Sequence, residues 1–210
     1  MLRPSILPAI PHILKSYLFS HDKMPFLASF KPTYRCNLRC QQCPFFALAE
    51  EDLSYAAALG VLDRLYARGD RLLIFEGGEP MLWRDGPYTI HDLVQAARRR
   101  FLCVGVTTNG TLPLEVPADV LWVSIDGFSA THDRLRGAPI FERVIENIRA
   151  SRHPRIYAHL TLNSQNYAEA PDLVRFLSTL IKGVTIQFYY PYAHRDELFL
   201  DFDRREKVLD

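Results

Sequence analysis

The chain has 210 residues, and a hydrophobic share of 48% is enough for one sizeable core, which predicts a single globular domain. Its 25 basic and 24 acidic residues nearly cancel and are spread along the sequence, so it shows no electrostatic footprint for nucleic acid. A run of about 18 apolar residues and a secretory signal are both missing, which predicts a cytoplasmic protein.

The first 25 residues are predicted to form an N-terminal helical extension. Within residues 6–19, Ile10, Ile13, Leu14, Tyr17 and Leu18 follow helical spacing. This mildly amphipathic pattern favours a helix packed on the domain. Peripheral contact with a membrane surface is the alternative.

Apolar segments alternate with helical patterns through the rest of the chain. Strands are predicted over residues 26–34, 71–75, 102–107, 120–125, 156–162 and 184–189, and helices over 54–68, 90–100, 141–152 and 170–182. A charged helix begins near residue 201. Such a series implies parallel strands joined by right-handed crossovers, so the predicted fold class is α/β. Without a linker or repeat, residues 26–210 are predicted to form one core.

Two sheet arrangements fit this series of strands: an open doubly wound sheet, or a partial (β/α)6 TIM-like barrel. The most distinctive residues of the sequence come directly after the predicted strands. In barrels of parallel strands, the C-terminal strand ends form the active-site face. The position of these residues therefore favours the partial barrel.

Three of the four cysteines, Cys36, Cys40 and Cys43, lie within eight residues after the first predicted strand. Such bunching does not suit a disulfide framework, whereas thiolates are soft ligands for zinc or an iron-sulfur cluster. Structural zinc requires four ligands, usually in paired Cys-x2-Cys units, and no second pair occurs. Cys103 lies alone in a predicted strand, as buried thiols commonly do. A cluster with one iron open to a small molecule therefore fits better than zinc.

Candidate binding residues lie at or just after the ends of the next three predicted strands: Gly77, Gly78, Glu79, Pro80, Asn109, Ser124 and Asp126. Glycines let a backbone approach a ligand closely, and carbonyl or carboxylate oxygens can accept hydrogen bonds from an ammonium group. Ser124 and Asp126 alternate along the strand and so face the same side of the sheet. Asn109 precedes a glycine, and Asn-Gly is also a common turn without any binding role.

The spacing Cys-x3-Cys-x2-Cys resembles that of the radical S-adenosylmethionine (radical SAM) enzymes. Four further segments resemble the family in the expected order: Gly77-Gly78-Glu79-Pro80, Thr107-Thr108-Asn109-Gly110, Ser124-Ile125-Asp126-Gly127 and His132-Asp133-Arg134-Leu135-Arg136-Gly137. The resemblance implies that Cys36, Cys40 and Cys43 bind a [4Fe-4S] cluster whose fourth iron is chelated by S-adenosylmethionine. It also implies that the candidate binding residues named above contact this cofactor.

The resemblance further implies an oxidoreductase or transferase-type activity. In the family, the reduced cluster donates one electron to the sulfonium, which gives methionine and a 5'-deoxyadenosyl radical. The electron is expected to come from an external donor such as flavodoxin or ferredoxin. The substrate is left open, with a lipid such as a hopanoid or a peptide as the candidates. A non-catalytic iron-sulfur or zinc-binding protein is the alternative.

Some features depart from the family pattern or stay open. Gln42 stands where the family commonly has an aromatic residue, which puts an adenine contact in doubt and makes a hydrogen bond the alternative. Arg136 is a candidate for the methionine carboxylate, whereas His132 is more typical of loop and helix-entry structure. Many relatives continue beyond a sixth strand, so a C-terminally truncated, inactive core or a protein partner that completes the site are both alternatives.

Overall fold

The computed structural model describes residues 25–48, 51–191 and 196–209, together with Pro11. The predicted N-terminal helix over residues 6–19 lies outside the described residues except for Pro11. The described strands are β1 (Leu27–Phe30), β2 (Leu72–Phe75), β3 (Arg84–Asp85), β4 (Tyr88–Thr89), β5 (Cys103–Thr108), β6 (Val120–Ser124), β7 (Ile156–Leu162) and β8 (Val184–Phe188). The described helices are α1 (Tyr55–Arg68), α2 (Ile90–Arg98), α3 (Ser129–Arg136), α4 (Phe141–Ala150), α5 (Ala170–Ser178) and α6 (Phe202–Leu209).

One six-stranded sheet has the order β1-β2-β5-β6-β7-β8. Strand β2 pairs in parallel with both β1 and β5, and β7 pairs in parallel with both β6 and β8. Successive strands of this sheet lie side by side, and helices lie between them along the chain except between β5 and β6. Parallel neighbours cannot be joined by a tight hairpin and need such crossover connections. The predicted α/β class is therefore confirmed.

The chain divides into two compact units. The first unit comprises residues 1–35, 50–106 and 116–120. Its described core is built from β2 and β5 with the buried faces of α1 and α2, to which Leu62, Phe75 and Leu93 contribute. Ser54 caps α1 because its side chain accepts a hydrogen bond from the backbone N–H of Ala57 (3.2 Å).

The second unit comprises residues 36–49, 107–115 and 121–210. Strand β7 alternates strictly between buried and half-buried residues, so Ala158 and Leu160 lie on its buried face. Helices α4 and α5 contribute Val144 and Leu173 to the core of this unit. The unit contains the cysteine loop, which we define as residues 36–43.

The first strand is shorter than the predicted span of residues 26–34, because β1 ends at Phe30. Pro32 has no N–H with which to continue the strand ladder. The following residues instead form side-chain contacts: Thr33 and Arg35 both bond to Asp52, with 2.8 Å between Arg35 Nε and Asp52 Oδ2. The chain therefore reaches the cysteine loop through an irregular segment held by hydrogen bonds.

Helix α3 was not predicted as a helix because its sequence has no apolar stripe. Of its residues, His132 and Leu135 are buried. The helix ends at Gly137, which adopts a left-handed conformation (φ 74°) and donates a hydrogen bond to the carbonyl of Asp133 (2.9 Å). The short hairpin of β3 and β4 was also missed, since two-residue strands are too short for a periodic pattern.

Among the helices that the structure describes, none is long and apolar enough to cross a membrane.

Candidate iron-sulfur and cofactor site

The cysteine loop carries its three thiols at different depths, with Cys40 buried and Cys36 and Cys43 half-buried. A turn brings the backbone N–H of Cys43 to the carbonyl of Cys40 (3.3 Å). Within the loop, the N–H of Leu38 donates to Cys36 Sγ (3.5 Å). The thiolate is the form of cysteine that binds metal.

Asn109 holds the start of the cysteine loop. Its Nδ2 donates to Asn37 Oδ1 (2.8 Å) and lies 3.9 Å from Cys36 Sγ. Its Oδ1 accepts hydrogen bonds from the backbone N–H (3.0 Å) and hydroxyl (2.7 Å) of Thr111, whose hydroxyl also accepts from Asn37 Nδ2 (2.8 Å). The buried amide therefore orders the first cysteine and the residue after it. Asn37 and Thr111 were missed by the sequence analysis, since neither belongs to a recognisable motif.

Asp126 lies at the other side of the cysteine loop and is fully buried. Its Oδ2 accepts a hydrogen bond from Gln42 Nε2 and forms an ion pair with Arg136 Nη2, both at 2.6 Å. The second guanidinium nitrogen of Arg136, Nη1, lies 3.8 Å from Cys40 Sγ. Gln42 thus makes the hydrogen bond that the sequence analysis considered as the alternative to an aromatic contact.

Burial and charge at this side of the loop shift the pKa values of Cys40 and Arg136. Burial raises the pKa of the Cys40 thiol above its ordinary value, while the nearby Arg136 acts in the opposite direction. Burial alone would lower the pKa of Arg136, but the negative charges of Asp126 and Cys40 outweigh that effect and raise it. Arg136 is therefore a permanent cation beside a cysteine sulfur.

His132, a buried residue of α3, contacts the backbone of Asp126. Its Nδ1 accepts a hydrogen bond from the backbone N–H of Asp126 (3.1 Å). Burial, followed by the positive charge of Arg136, lowers the pKa of His132 to about 4, so the imidazole is neutral near pH 7. This contact agrees with the structural role that the sequence analysis favoured for His132.

In the first unit, Gly77 and Gly78 pack against the backbone that leads into the cysteine loop. A Cβ atom on Gly78 would lie 2.2 Å from the carbonyl oxygen of Arg35, and one on Gly77 would lie 2.5 Å from that of Thr33. The N–H of Gly78 donates to the Thr33 carbonyl (3.0 Å). Both glycines are therefore required by this close approach of two backbones.

Glu79 and Pro80 continue this segment. The N–H of Glu79 donates to the carbonyl of Arg35 (2.8 Å), and its buried carboxylate accepts a hydrogen bond from the N–H of Met81 (3.1 Å). Pro80 begins a short 3-10 helix, Pro80–Leu82, in which its missing N–H costs nothing. The contact of residues 77–80 with a cofactor stays a prediction.

Ser124 is the last residue of β6 and is half-buried, two positions before Asp126. Its contact with a cofactor likewise stays a prediction. Asn109 and Asp126, by contrast, already bond to protein groups around the cysteine loop. Their predicted contacts with S-adenosylmethionine therefore remain predictions, while their contacts with the loop are observed.

The described side chains contain no group of three or more His, Cys, Asp and Glu residues arranged to hold a metal ion. The donor set around the cysteine loop nevertheless fits an iron-sulfur cluster. N–H groups of Leu38, Asn109 and Arg136 lie within hydrogen-bond range of cysteine sulfurs. Beside them, Gln42 Oε1 and Arg136 Nε are buried without a hydrogen-bond partner among the described residues. Sulfur-directed donors are a regular feature of such sites.

Comparison with known proteins identifies the class to which this arrangement belongs. The model of the radical SAM superfamily matches residues 30–177. Since this match covers more than half of the chain, the protein belongs to the radical SAM superfamily. The cofactors of this family are a [4Fe-4S] cluster and S-adenosylmethionine, in agreement with the cofactors expected from the sequence.

Two curated relatives share about a third of their aligned residues with this chain. Fe-coproporphyrin III synthase of Methanosarcina barkeri is 31% identical over 209 residues, covering 91% of this chain and 50% of the relative. Pre-heme d1 synthase of Dinoroseobacter shibae is 30% identical over 158 residues, covering 68% of this chain and 38% of the relative. The chain thus spans half or less of the length of these relatives.

Among solved structures, SuiB of Streptococcus suis bound to its precursor peptide SuiA superposes with a TM-score of 0.72. The two chains are 18% identical, and the match covers 97% of this chain and 50% of SuiB. SuiB has also been solved bound to S-adenosylmethionine, with a TM-score of 0.70. At this identity the likeness concerns the fold, and it confirms the predicted partial barrel rather than a doubly wound sheet.

Proposed function

We propose that this chain is a radical SAM enzyme in which Cys36, Cys40 and Cys43 hold a [4Fe-4S] cluster. The observation that carries the proposal is the set of N–H donors near the sulfurs of a Cys-x3-Cys-x2-Cys loop that lies within the family match. When bound, the cluster would supply the electron for reductive cleavage of S-adenosylmethionine to methionine and a 5'-deoxyadenosyl radical.

In this proposal the protein binds and orients the reactants and keeps water from the radical, because the cofactors carry the chemistry. The backbone of residues 77–80 would receive the methionine ammonium, and Ser124 would contact the nucleoside. Asn109 and Asp126 would also contact the cofactor, in addition to the hydrogen bonds by which they hold the cysteine loop. The identity of these contacts is part of the proposal.

For the substrate, a tetrapyrrole is the first candidate. The two relatives described above are named for coproporphyrin and haem chemistry, and each is at least 30% identical to this chain. A peptide is the second candidate, because SuiB was solved with a precursor peptide and the sporulation killing factor maturation protein SkfB of Bacillus subtilis is 28% identical over 169 residues. The hopanoid alternative depends on residues 6–19, which apart from Pro11 lie outside the described part of the chain.

The proposal also covers the localisation, electron donor, domain limits and partners of the enzyme. It places the protein in the cytoplasm, with flavodoxin or ferredoxin as the electron donor. It retains a radical SAM core over residues 26–210 after an N-terminal extension of residues 1–25. Peripheral membrane contact through this extension and a protein partner that completes the site remain parts of the hypothesis.

The test is anaerobic reconstitution with iron and sulfide, followed by assay of 5'-deoxyadenosine under strong reductant. We expect the unchanged chain to bind about four irons per protein, the content of one such cluster. The variant with Cys36, Cys40 and Cys43 all replaced by alanine should lose both the cluster and the cleavage activity. Cys103→Ala is the matched control, since it removes the one cysteine outside the loop, and it should retain both.

Each outcome separates the proposed enzyme from its alternative. A full cluster in the triple variant would contradict the assignment of the three ligands. Metal bound at the loop without 5'-deoxyadenosine formation would support the non-catalytic metal protein, or an inactive core. Stimulation of cleavage by an iron tetrapyrrole, compared with peptides and hopanoid lipid at equal concentration, then identifies the substrate class.

A further inference from the structure

Both oxygens of the Asp126 carboxylate bond to groups of the protein. Its Oδ1 accepts a hydrogen bond from the backbone N–H of Thr161 (3.0 Å), and its Oδ2 bonds to Gln42 Nε2 and Arg136 Nη2, each at 2.6 Å. A buried carboxylate that receives several N–H bonds keeps its partners in fixed positions. Its direct neighbours are therefore part of a rigid arrangement.

The backbone of Asp126 is fixed as firmly as its side chain. Its N–H donates to His132 Nδ1 (3.1 Å), and its carbonyl accepts a hydrogen bond from Asn166 Nδ2 (2.8 Å). Asn166 and His132 are themselves buried. Asn166 was not singled out from the sequence, and His132 was expected to have a structural role. Both restrict where the Asp126 carboxylate can lie.

Arg136 connects Asp126 to the cysteine loop. Its Nη2 is held by Asp126, and its Nη1 lies 3.8 Å from Cys40 Sγ, within range of an N–H···S hydrogen bond. The side chain is only 11% exposed, so solvent screens its charge weakly. Truncating such a buried ion pair removes a directed positive charge together with its hydrogen bonds.

Gln42 connects Asp126 to the other half of the loop, because it lies between Cys40 and Cys43 and donates to the same carboxylate oxygen as Arg136. One buried carboxylate thus orders two groups that flank the cysteines. Hydrogen bonds to the sulfurs of an iron-sulfur centre and nearby positive charge stabilise its reduced form and so raise its reduction potential.

We propose that Asp126 and Arg136 are a positioning pair, in which Asp126 aims the guanidinium of Arg136 at the sulfur of Cys40 and thereby raises the reduction potential of the cluster. The inference rests on the proposed function, which places a cluster at Cys36, Cys40 and Cys43. The role of Asp126 is then to position Arg136 against the cysteine loop, whether or not Asp126 also contacts S-adenosylmethionine. The single electron taken up on reduction comes from the external donor, a flavodoxin or ferredoxin.

The experiment is a redox titration of the reconstituted protein followed by electron paramagnetic resonance. We expect Arg136→Met to lower the midpoint potential by about 59 mV or more, the equivalent of a tenfold less favourable one-electron reduction. Arg136→Lys keeps the charge without the planar fork and should lie between this variant and the unchanged protein. Arg134→Met is the matched control because it removes an exposed arginine from the same helix, and its potential should be unchanged.

A midpoint potential of Arg136→Met equal to that of the unchanged protein, at equal iron content, would overturn the inference and leave the proposed function standing. If Arg136→Met takes up no cluster, the titration of Arg136→Lys decides: a lowered potential supports the inference, and an unchanged one overturns it. Failure of the unchanged chain to bind iron and sulfide would overturn the proposed function, and the inference with it. Iron analysis before each titration distinguishes these results.

Discussion

His132 is a buried titratable side chain whose environment opposes protonation. Its Nδ1 already accepts a hydrogen bond from the Asp126 backbone, and burial together with the charge of Arg136 lowers its pKa to about 4. Protonation would remove the acceptor and place a second cation near Arg136. The hydrogen bond from the Asp126 backbone N–H to Nδ1 therefore requires the neutral imidazole.

The pH dependence of stability follows from this shift. Between about pH 6.5 and pH 4, the unfolded chain binds a proton at His132 and the folded chain does not, so stability falls as pH is lowered through this range. The contribution of His132 to this loss is expected to be about 3 kcal/mol at pH 4 or below. Urea unfolding of the cluster-free protein at several pH values measures it.

His132→Asn provides the comparison, because its side-chain oxygen can still accept a hydrogen bond but does not titrate. The free energy of unfolding of this variant should decline less between pH 6.5 and pH 4 than that of the unchanged chain. His91→Asn, which removes an exposed histidine of α2, serves as the control and should keep the original slope. Equal slopes for all three proteins would show that His132 is not the group responsible.

At the scale of secondary-structure elements, two glycines occupy contrasting environments. Gly60 lies inside α1, where an added Cβ would meet only the flexible end of Arg64, at 3.6 Å. Gly78 lies where the segment after β2 crosses the backbone before the cysteine loop, and an added Cβ would be 2.5 Å or less from the carbonyl oxygens of Tyr34 and Arg35. A helix tolerates the extra carbon, whereas a backbone crossing has no space for it.

Alanine substitution at these positions should change stability in opposite directions. Gly60→Ala is expected to raise the free energy of unfolding by about 0.5–1 kcal/mol, since glycine is unfavourable within a helix. Gly78→Ala should lower it by more than about 1 kcal/mol, because the backbone must move apart. Urea unfolding of both variants tests this, and a Gly78→Ala protein as stable as the unchanged chain would contradict the close approach.

At the scale of the whole molecule, the proposed cofactors should couple binding to stability. A ligand that binds only the folded state stabilises it by about 2.7 kcal/mol at a concentration 100 times its Kd. At 100 times its Kd, S-adenosylmethionine should therefore raise the free energy of unfolding of the reconstituted chain by about 2.7 kcal/mol. Anaerobic urea unfolding at increasing cofactor concentration measures the effect.

The triple alanine variant of Cys36, Cys40 and Cys43 is the control for this coupling. Because the proposed binding mode anchors S-adenosylmethionine through the fourth iron, the variant should gain much less stability from the same cofactor concentration. An equal gain in both proteins would mean that the cofactor binds without a cluster, and would count against the proposed site.

The sequence by itself determined the local features of this protein. Alternating apolar segments and helical patterns located the strands of the main sheet to within a few residues, except for the end of β1 after Phe30. The cysteine spacing and the four companion segments identified the radical SAM family, which the match to residues 30–177 confirms. Such features are readable because periodicity, turn residues and ligand spacing are properties of neighbouring residues.

Only the tertiary structure decided how the cysteine loop is held. Gln42 and Asp126 are 84 positions apart, and Arg136 and Cys40 are 96 apart, so no local pattern connects them. Helix α3, which carries Arg136, has too few apolar residues to show a helical pattern. Hydrogen-bond partners between distant segments depend on how strands and helices pack. The contacts that connect Asp126 through Arg136 to the sulfur of Cys40 are therefore visible only in the fold, although the sequence had already pointed to these residues.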